Sequence, residues 1–152
     1  MSGAPRHVVV MHGVNLDQLG RRDPAQYGAL TLPQLEQRIA GDAGELGLRA
    51  SFFHTNHEGA FVERLHDLPR DAEALVLNPG AWTHYSWAIR DALEIAALPA
   101  VEVHLSDVQR REPWRRTSVI RELCLGVVAG RGADGYAEAL ALLREELERR
   151  AA

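Results

Sequence analysis

Short apolar runs alternate along this chain with longer segments in which apolar residues recur every three or four positions. Apolar runs bounded by turn residues are typical of buried strands, and the longer period is typical of amphipathic helices. The predicted strands cover residues 8–11, 48–54, 74–77, 100–104 and 125–129. The predicted helices cover 31–46, 58–68, 86–97 and about 133–149, with one helical turn near 114–122. This alternation predicts an α/β fold with a five-stranded parallel sheet and helices on both faces.

Two of the predicted helices carry additional sequence signals. Thr31 and Gln34 have the spacing of a capping box, and Pro33 lies in the first turn. The last helix places four apolar residues on one face: Tyr136, Leu140, Leu143 and Leu147. We expect one domain over residues 1–152, with loose ends at 1–6 and 150–152.

The polar residues of interest follow the carboxyl ends of the strands, where open parallel sheets bind ligands. A long connection follows the first strand and carries Asn15, Arg22 and Tyr27. Connections of this length are either binding loops or solvated surface loops. We expect residues 16–28 to form a mobile lid, because Gly20 and Gly28 permit backbone changes near its ends.

Asn78 and His84 follow the third strand, where turn chemistry or helix capping is the alternative interpretation of Asn78. Glu102 and His104 share one face of the fourth strand, so the carboxylate can orient the imidazole. A structural pair or a metal site is the alternative there.

Ser106, Arg111 and Arg115 follow the fourth strand. Neighbouring arginines suit a small carboxylate ligand because guanidinium groups make bidentate contacts. For the nearby Arg110 and Arg116, a solvated basic face is an equally good interpretation.

Composition excludes several classes of function. All 17 basic residues are arginines, so Schiff-base chemistry and a phosphate-binding P-loop, which both need a lysine, are excluded. Cys124 is the single cysteine, which rules out an internal disulfide. The net charge of −4 gives no basic surplus for nucleic acid, and no apolar run reaches membrane-spanning length. We therefore expect a soluble, cytoplasmic protein that binds neither nucleic acid nor a membrane.

Two further motifs resemble known binding sites, but local structure explains each of them better. The segment 130–135 matches a dinucleotide-binding fingerprint, but only one helix follows it, so a tight turn is preferred. The segment 54–58 resembles a metal-binding cluster but lacks the spacing of a helical zinc motif, and capping is preferred.

Three segments resemble the motifs of the type II 3-dehydroquinate dehydratase family, and the match runs from about Val8 to Leu143. The first motif comprises Asn15-Leu16, Leu19-Gly20, Arg22-Asp23-Pro24 and Tyr27-Gly28. The second comprises Asn78-Pro79-Gly80-Ala81, Thr83-His84 and Arg90-Asp91-Ala92-Leu93. The third comprises Glu102-Val103-His104-Leu105-Ser106, Arg111-Glu112-Pro113 and Arg115.

The resemblance implies a flavodoxin-like lyase that dehydrates 3-dehydroquinate to 3-dehydroshikimate through an enolate, in the shikimate pathway or in quinate catabolism. It implies no cofactor, no metal and a dodecamer built from trimers. The implied catalytic residues are Tyr27 as base, Arg22 and Arg111 as its cationic partners, Asn15 at the enolate, and His104 as acid backed by Glu102. The implied substrate-binding residues are Asn78, His84, Leu105, Ser106 and Arg115, with Asp91 reaching a neighbouring subunit's site.

The residue types suit this chemistry. A phenol has a pKa of about 10, so a tyrosine base needs nearby cations that favour the phenolate. A histidine suits protonation of a leaving hydroxyl near neutral pH.

The chain departs from the family pattern at His12, Val14, Asp17, Asp107, Gln109 and 117–122. Two alternatives therefore stay open: the same elimination on a related cyclic hydroxy-keto carboxylate, or a flavodoxin-like protein that binds an anion without turnover.

Overall fold

The computed structural model describes residues 3–152. The elements follow in chain order as β1 (Arg6–His12), α1 (Pro24–Tyr27), α2 (Leu32–Glu45), β2 (Leu48–His54), α3 (Glu58–His66), β3 (Ala72–Asn78), α4 (Trp87–Ala96), β4 (Ala100–His104), β5 (Gly126–Ala129) and α5 (Asp134–Ala151). The five strands form one sheet in the order β2-β1-β3-β4-β5, and every neighbouring pair is parallel. This order is that of flavodoxin-like folds, so the predicted fold class is confirmed.

Alternate residues of the central strands build two separate hydrophobic layers. Val8 and Val10 of β1 pack with α2 and α5 on one face of the sheet. Val9 and Met11 pack with α3 and α4 on the other face. Residues 8–11 of β1 are fully buried on both faces of the sheet, which explains why this run is continuously apolar rather than alternating.

The predicted signals of two helices are confirmed. Thr31 accepts a hydrogen bond from the Gln34 N–H, and the Gln34 side chain accepts one from the Thr31 N–H, which completes the capping box. The predicted apolar stripe of α5 is buried against the sheet.

The ends of several elements differ from prediction. Arg6 already belongs to β1, and α5 continues through Arg150 and Ala151, so the loose ends expected at 1–6 and 150–152 are wrong at these positions. Arg150 is held there by an ion pair with Glu146 one turn earlier. Met1 and Ser2 lie outside the described residues.

The helical turn expected near 114–122 is two short 3₁₀ segments, Pro113–Arg116 and Arg121–Leu123. The short helix α1 was not predicted, although its start has a clear signal. Pro24 occupies its first turn, and the Asp23 side chain accepts a hydrogen bond from the Ala25 N–H.

Two glycines let the connections after β1 and β3 approach each other. The Gly13 N–H donates to the Asn78 carbonyl over 2.7 Å, and a Cβ at Gly13 would overlap the backbone of Pro79. Gly80 has a φ of 67°, and a Cβ there would overlap the Val14 carbonyl. The strand order reverses direction between β1 and β3, so these glycines shape the edge where a ligand site is expected. Within residues 3–152, no helix is both long and apolar enough to cross a membrane.

Candidate active site

A cleft opens at the carboxyl ends of β1, β3 and β4, beside α1. It encloses about 570 Å³, part of it open to solvent. The lining residues are Val14, Asn15, Leu16, Arg22, Tyr27, Asn78, Gly80, Ala81, His84, His104, Leu105, Ser106, Val108, Arg111 and Arg115. All of the predicted site residues except Glu102 and Asp91 are therefore brought together at one place.

Tyr27, the last residue of α1, lies between two arginines. Arg22 Nη2 donates to the Tyr27 hydroxyl oxygen over 2.7 Å, and Arg111 Nη1 donates to the same oxygen over 2.5 Å. The Arg22 guanidinium also lies over the Tyr27 ring, 3.8 Å from its centroid. A guanidinium can only donate, so the phenolic oxygen accepts two charge-assisted hydrogen bonds. This geometry suits an oxygen that carries negative charge.

Glu102 and His104 form a buried pair behind the cleft. His104 Nε2 donates to Glu102 Oε2 over 2.6 Å, and the Ser118 hydroxyl donates to Glu102 Oε1 over 2.6 Å. Burial alone would raise the pKa of Glu102, but the hydrogen bonds from His104 and Ser118 outweigh burial and hold the pKa below its ordinary value. Glu102 is thus an ionised acceptor, and the Nδ1 atom of His104 is left for the cleft.

His84 faces the same cleft with a fixed tautomer. Its Nδ1 lies 2.7 Å from the Thr117 carbonyl, which can only accept, so Nδ1 carries the proton. Desolvation lowers the pKa of His84 more than the hydrogen bond to Thr117 raises it, so the neutral ring is favoured. Neutral His84 therefore offers Nε2 as an acceptor, which suits a ligand hydroxyl.

Asn15 and Asn78 are positioned by local backbone geometry. Asn15 adopts the left-handed conformation, with a φ of 70°, and its N–H donates to Asn56 Oδ1 over 2.8 Å. Asn78 Oδ1 accepts the Gly80 N–H over 3.1 Å. The turn chemistry considered for Asn78 is therefore present, and the same side chain also lines the cleft.

The floor of the cleft follows β4 directly. Ser106 Oγ lies 3.2 Å from Arg111 Nη1, which joins it to the tyrosine cluster. Arg115 is held by Glu112 over 3.1 Å and packs over the Trp114 ring. Ser106 and the two arginines provide donors that suit a carboxylate.

Asp91 lies outside this cleft, exposed on α4. Its neighbours one turn away on the same face, Trp87 and Ile95, are also strongly exposed, at 64% and 67%. Asp91 thus contributes nothing to the site of its own chain.

Two contributors were missed at the sequence level. Ser118 contacts Glu102, and Asn56 fixes the backbone of Asn15 while its amide donates to Asp17. Both lie far from their partners along the chain, so no local spacing marks them. Ser118 also lies within the segment 117–122 that departs from the family pattern, which shows that this segment supports the site.

The other departures from the family pattern have identifiable surroundings. Val14 lines the cleft. His12 is fully buried at the end of β1, where it stacks on Phe52 and lies 3.1 Å from Glu36. Asp107 accepts the backbone N–H of Gln109 and so shapes the turn after β4.

The segments 130–135 and 54–58 form turns. Gly130 and Gly132 have positive φ, and the Gly135 N–H donates to the Gly132 carbonyl over 3.2 Å, as expected for a tight turn. Thr55 Oγ1 accepts the His57 N–H over 3.0 Å in a turn just before α3. No side chain caps α3 itself, so the capping role preferred for segment 54–58 is wrong. In residues 3–152, no group of three or more His, Cys, Asp and Glu side chains is arranged to hold a metal ion.

Residues 6–144 match the model of a family described as Dehydroquinase class II. The chain is 47% identical over 145 residues to a 3-dehydroquinate dehydratase 2 of Pseudomonas putida, covering 95% of this chain and 97% of the relative. It is 47% identical over 141 residues to a 3-dehydroquinate dehydratase of Thermotoga maritima, covering 93% and 96%. The crystal structure of a type II dehydroquinase from Propionibacterium acnes superposes with a TM-score of 0.88 at 38% identity, covering 95% of this chain and 99% of that one. Sequence and fold agree over nearly the whole of residues 3–152, and the chain belongs to the class II dehydroquinase family.

Proposed function

We propose that this chain is a hydro-lyase that converts 3-dehydroquinate to 3-dehydroshikimate by removing water through an enolate intermediate. The observation that carries the proposal is the Tyr27 oxygen held by Arg22 and Arg111 in a cleft that is also lined by His104, which Glu102 holds from behind. A base and an acid in one small cleft are what an elimination needs. The dehydratase relatives agree with this reaction.

Tyr27 is the proposed base. In its phenolate form it takes the proton from the carbon beside the substrate ketone, and the C–H electron pair becomes the enolate. The hydrogen bonds from Arg22 and Arg111 stabilise the phenolate. Asn15 lines the same cleft, where its amide can hold a water against the enolate oxygen.

His104 is the proposed acid. Its protonated Nδ1 delivers a proton to the departing hydroxyl as the enolate collapses, and water leaves. Glu102 holds the opposite nitrogen and balances the imidazolium charge. The buried carboxylate also fixes the plane of the ring, so the acid is already oriented when substrate binds.

The remaining polar residues are proposed to bind the substrate. Ser106 and the backbone N–H of Leu105 receive its carboxylate, beside the positive charge of Arg111. Asn78, His84 and Arg115 receive its ring hydroxyls, with neutral His84 accepting through Nε2. This assignment requires no cofactor.

We further propose that the active form is an oligomer built from trimers, a dodecamer in the complete assembly, and that it acts in the cytoplasm. Support comes from the exposed face of α4, where Asp91 lies between Trp87 and Ile95. Large apolar side chains in such exposed positions are typical of protein interfaces. Asp91 then reaches the cleft of a neighbouring subunit.

The test is ultraviolet absorbance during incubation with 3-dehydroquinate, because elimination creates a conjugated enone. We expect absorbance to rise with the unaltered chain. Tyr27→Phe keeps the ring but removes the base, so turnover should disappear while an inhibitor that carries the substrate carboxylate still binds.

The outcomes separate the alternatives. Binding of 3-dehydroquinate without any absorbance change favours an anion-binding protein. Turnover of a related hydroxy-keto carboxylate in preference to 3-dehydroquinate favours the same chemistry on another substrate. Full activity in Tyr27→Phe would remove Tyr27 from the mechanism.

A further inference from the structure

The Ser118 hydroxyl uses all of its hydrogen-bonding capacity within the protein. Its oxygen accepts the backbone N–H of Ile120 over 3.3 Å and that of Arg121 over 3.1 Å. A hydroxyl has two acceptor lone pairs and one proton, so both lone pairs are used. The proton therefore points at Glu102 Oε1, 2.6 Å away. The backbone N–H groups of Ile120 and Arg121 thus orient the Ser118 hydroxyl so that it donates to Glu102 Oε1.

Glu102 is fixed at both of its oxygens. Ser118 donates to Oε1, and His104 donates to Oε2. Glu102 is 1% exposed and His104 is 5% exposed, so water does not replace either donor readily. A carboxylate held by His104 alone could rotate about its terminal bond, whereas a carboxylate held at both ends cannot.

We propose that Ser118 is a positioning residue for the dehydration: it fixes the carboxylate of Glu102 and, through it, the plane and the proton of His104. This inference rests on the proposed function, because His104 matters for rate only if it acts as the acid. Ser118 does not touch the cleft, so it acts through Glu102. The segment after Arg115 thereby supports catalysis as well as the fold.

Other charged and titratable groups lie near the Glu102–His104 pair and also influence its protonation. His84 stacks near the His104 ring, with centroids 6.2 Å apart, and Arg121 exerts an attractive field on the carboxylate. Burial raises the pKa of the Cys124 thiol to about 12, so this neighbour stays uncharged. Among the groups packed around Glu102, His104 and Ser118 are the ones that hydrogen-bond to its carboxylate through their side chains.

The direction of the pH effect follows from this geometry. The hydrogen bond from Ser118 is strongest when Glu102 is ionised and His104 is neutral, because the carboxylate charge is then unbalanced. It therefore weakens proton binding by the Glu102–His104 pair. Removing it should make the pair hold its proton to higher pH.

The experiment compares Ser118→Ala and Ser118→Thr with the unaltered enzyme. We expect Ser118→Ala to lower kcat by roughly tenfold, the usual effect of losing one hydrogen bond to a charged group, with KM changed by less than about twofold. The pH profile of kcat should move to higher pH. Ser118→Thr keeps the hydroxyl and should restore both kcat and the profile. Ser118→Cys, a weaker donor of similar size, replaces the alanine variant if that variant does not fold.

Two further measurements separate positioning from a structural role. On a Glu102→Gln background, Ser118→Ala should cause no additional shift of the pH profile, because the carboxylate is already gone. Nuclear magnetic resonance of the His104 ring in the free enzyme should show a higher titration midpoint in Ser118→Ala, with or without turnover.

The results also distinguish this inference from the proposed function. An unaltered enzyme that fails to dehydrate 3-dehydroquinate overturns the function, while the ring titration still tests the link from Ser118 to His104. An unchanged titration and pH profile in a folded Ser118→Ala enzyme overturns the inference, even if the melting temperature falls.

Discussion

Two arginines of the cleft differ in what they contact, and this difference predicts different kinetic defects. Arg22 donates a hydrogen bond to the Tyr27 hydroxyl oxygen. Arg115 instead donates to Glu112 and packs on Trp114, and it makes no hydrogen bond to Tyr27. Arg22→Ala should therefore lower kcat by about a hundredfold with a small change in inhibitor Kd, because its charge supports the base. Arg115→Ala should mainly raise KM. Steady-state kinetics and inhibitor titration check both; an Arg22→Ala enzyme altered only in affinity would make Arg22 a binding residue.

At the scale of elements, the connection after β1 divides into two parts. Leu16 and Leu19 are buried in the core, so the lid predicted at 16–28 is anchored at its beginning. Residues 21–26 are mostly exposed, and the glycines on either side of them, Gly20 and Gly28, both have positive φ. We expect amide hydrogen exchange to be fast over residues 20–28 without ligand and slowed by a carboxylate inhibitor, with 16–19 protected throughout. Equal protection of 20–28 in both states would contradict closure over substrate.

Two glycines in different elements provide a matched pair of stability tests. A Cβ at Gly13 overlaps the Pro79 backbone, so Gly13→Ala should lower the free energy of unfolding by about 1–3 kcal/mol. Gly41 is exposed within α2 with open space around it, so Gly41→Ala should raise the same free energy by about 0.5–1 kcal/mol. Chemical denaturation of both variants measures this. If Gly13→Ala left the free energy of unfolding unchanged, the connections after β1 and β3 would be able to separate with little loss of stability.

For the whole molecule, the exposed face of α4 predicts self-association. Trp87 and Ile95 flank Asp91 at helical spacing, and all three are exposed in the single chain. Sedimentation velocity should show at least a trimer. Ile95→Arg should yield smaller species with reduced activity, whereas Ala40→Arg, a change to arginine at an exposed position of α2, should leave assembly intact. A fully active monomer would contradict the role proposed for Asp91.

The sequence by itself determined the five strands, the four longer helices and the edge of the sheet that carries the site. Continuous apolar runs and caps are local signals, so the five strands, the capping box at Thr31 and the α5 stripe were predicted correctly. The motif resemblance then indicated residues that the structure brings to one cleft, apart from Glu102 behind it and Asp91 outside it.

Only the tertiary structure decided which side chains touch. Arg22 and Tyr27 are five positions apart in the sequence, but Arg111, which donates to the same Tyr27 hydroxyl oxygen, is 84 positions from Tyr27. Ser118 donates to Glu102, which lies 16 positions earlier. Such contacts depend on sheet order and on the path of connections, which leave no periodic pattern in the sequence. The start of β1 was also decided there, because the pairing of Arg6 with Leu48 of β2 outweighed a weak local signal. Local propensity thus specified the elements, and long-range packing specified the chemistry that they present.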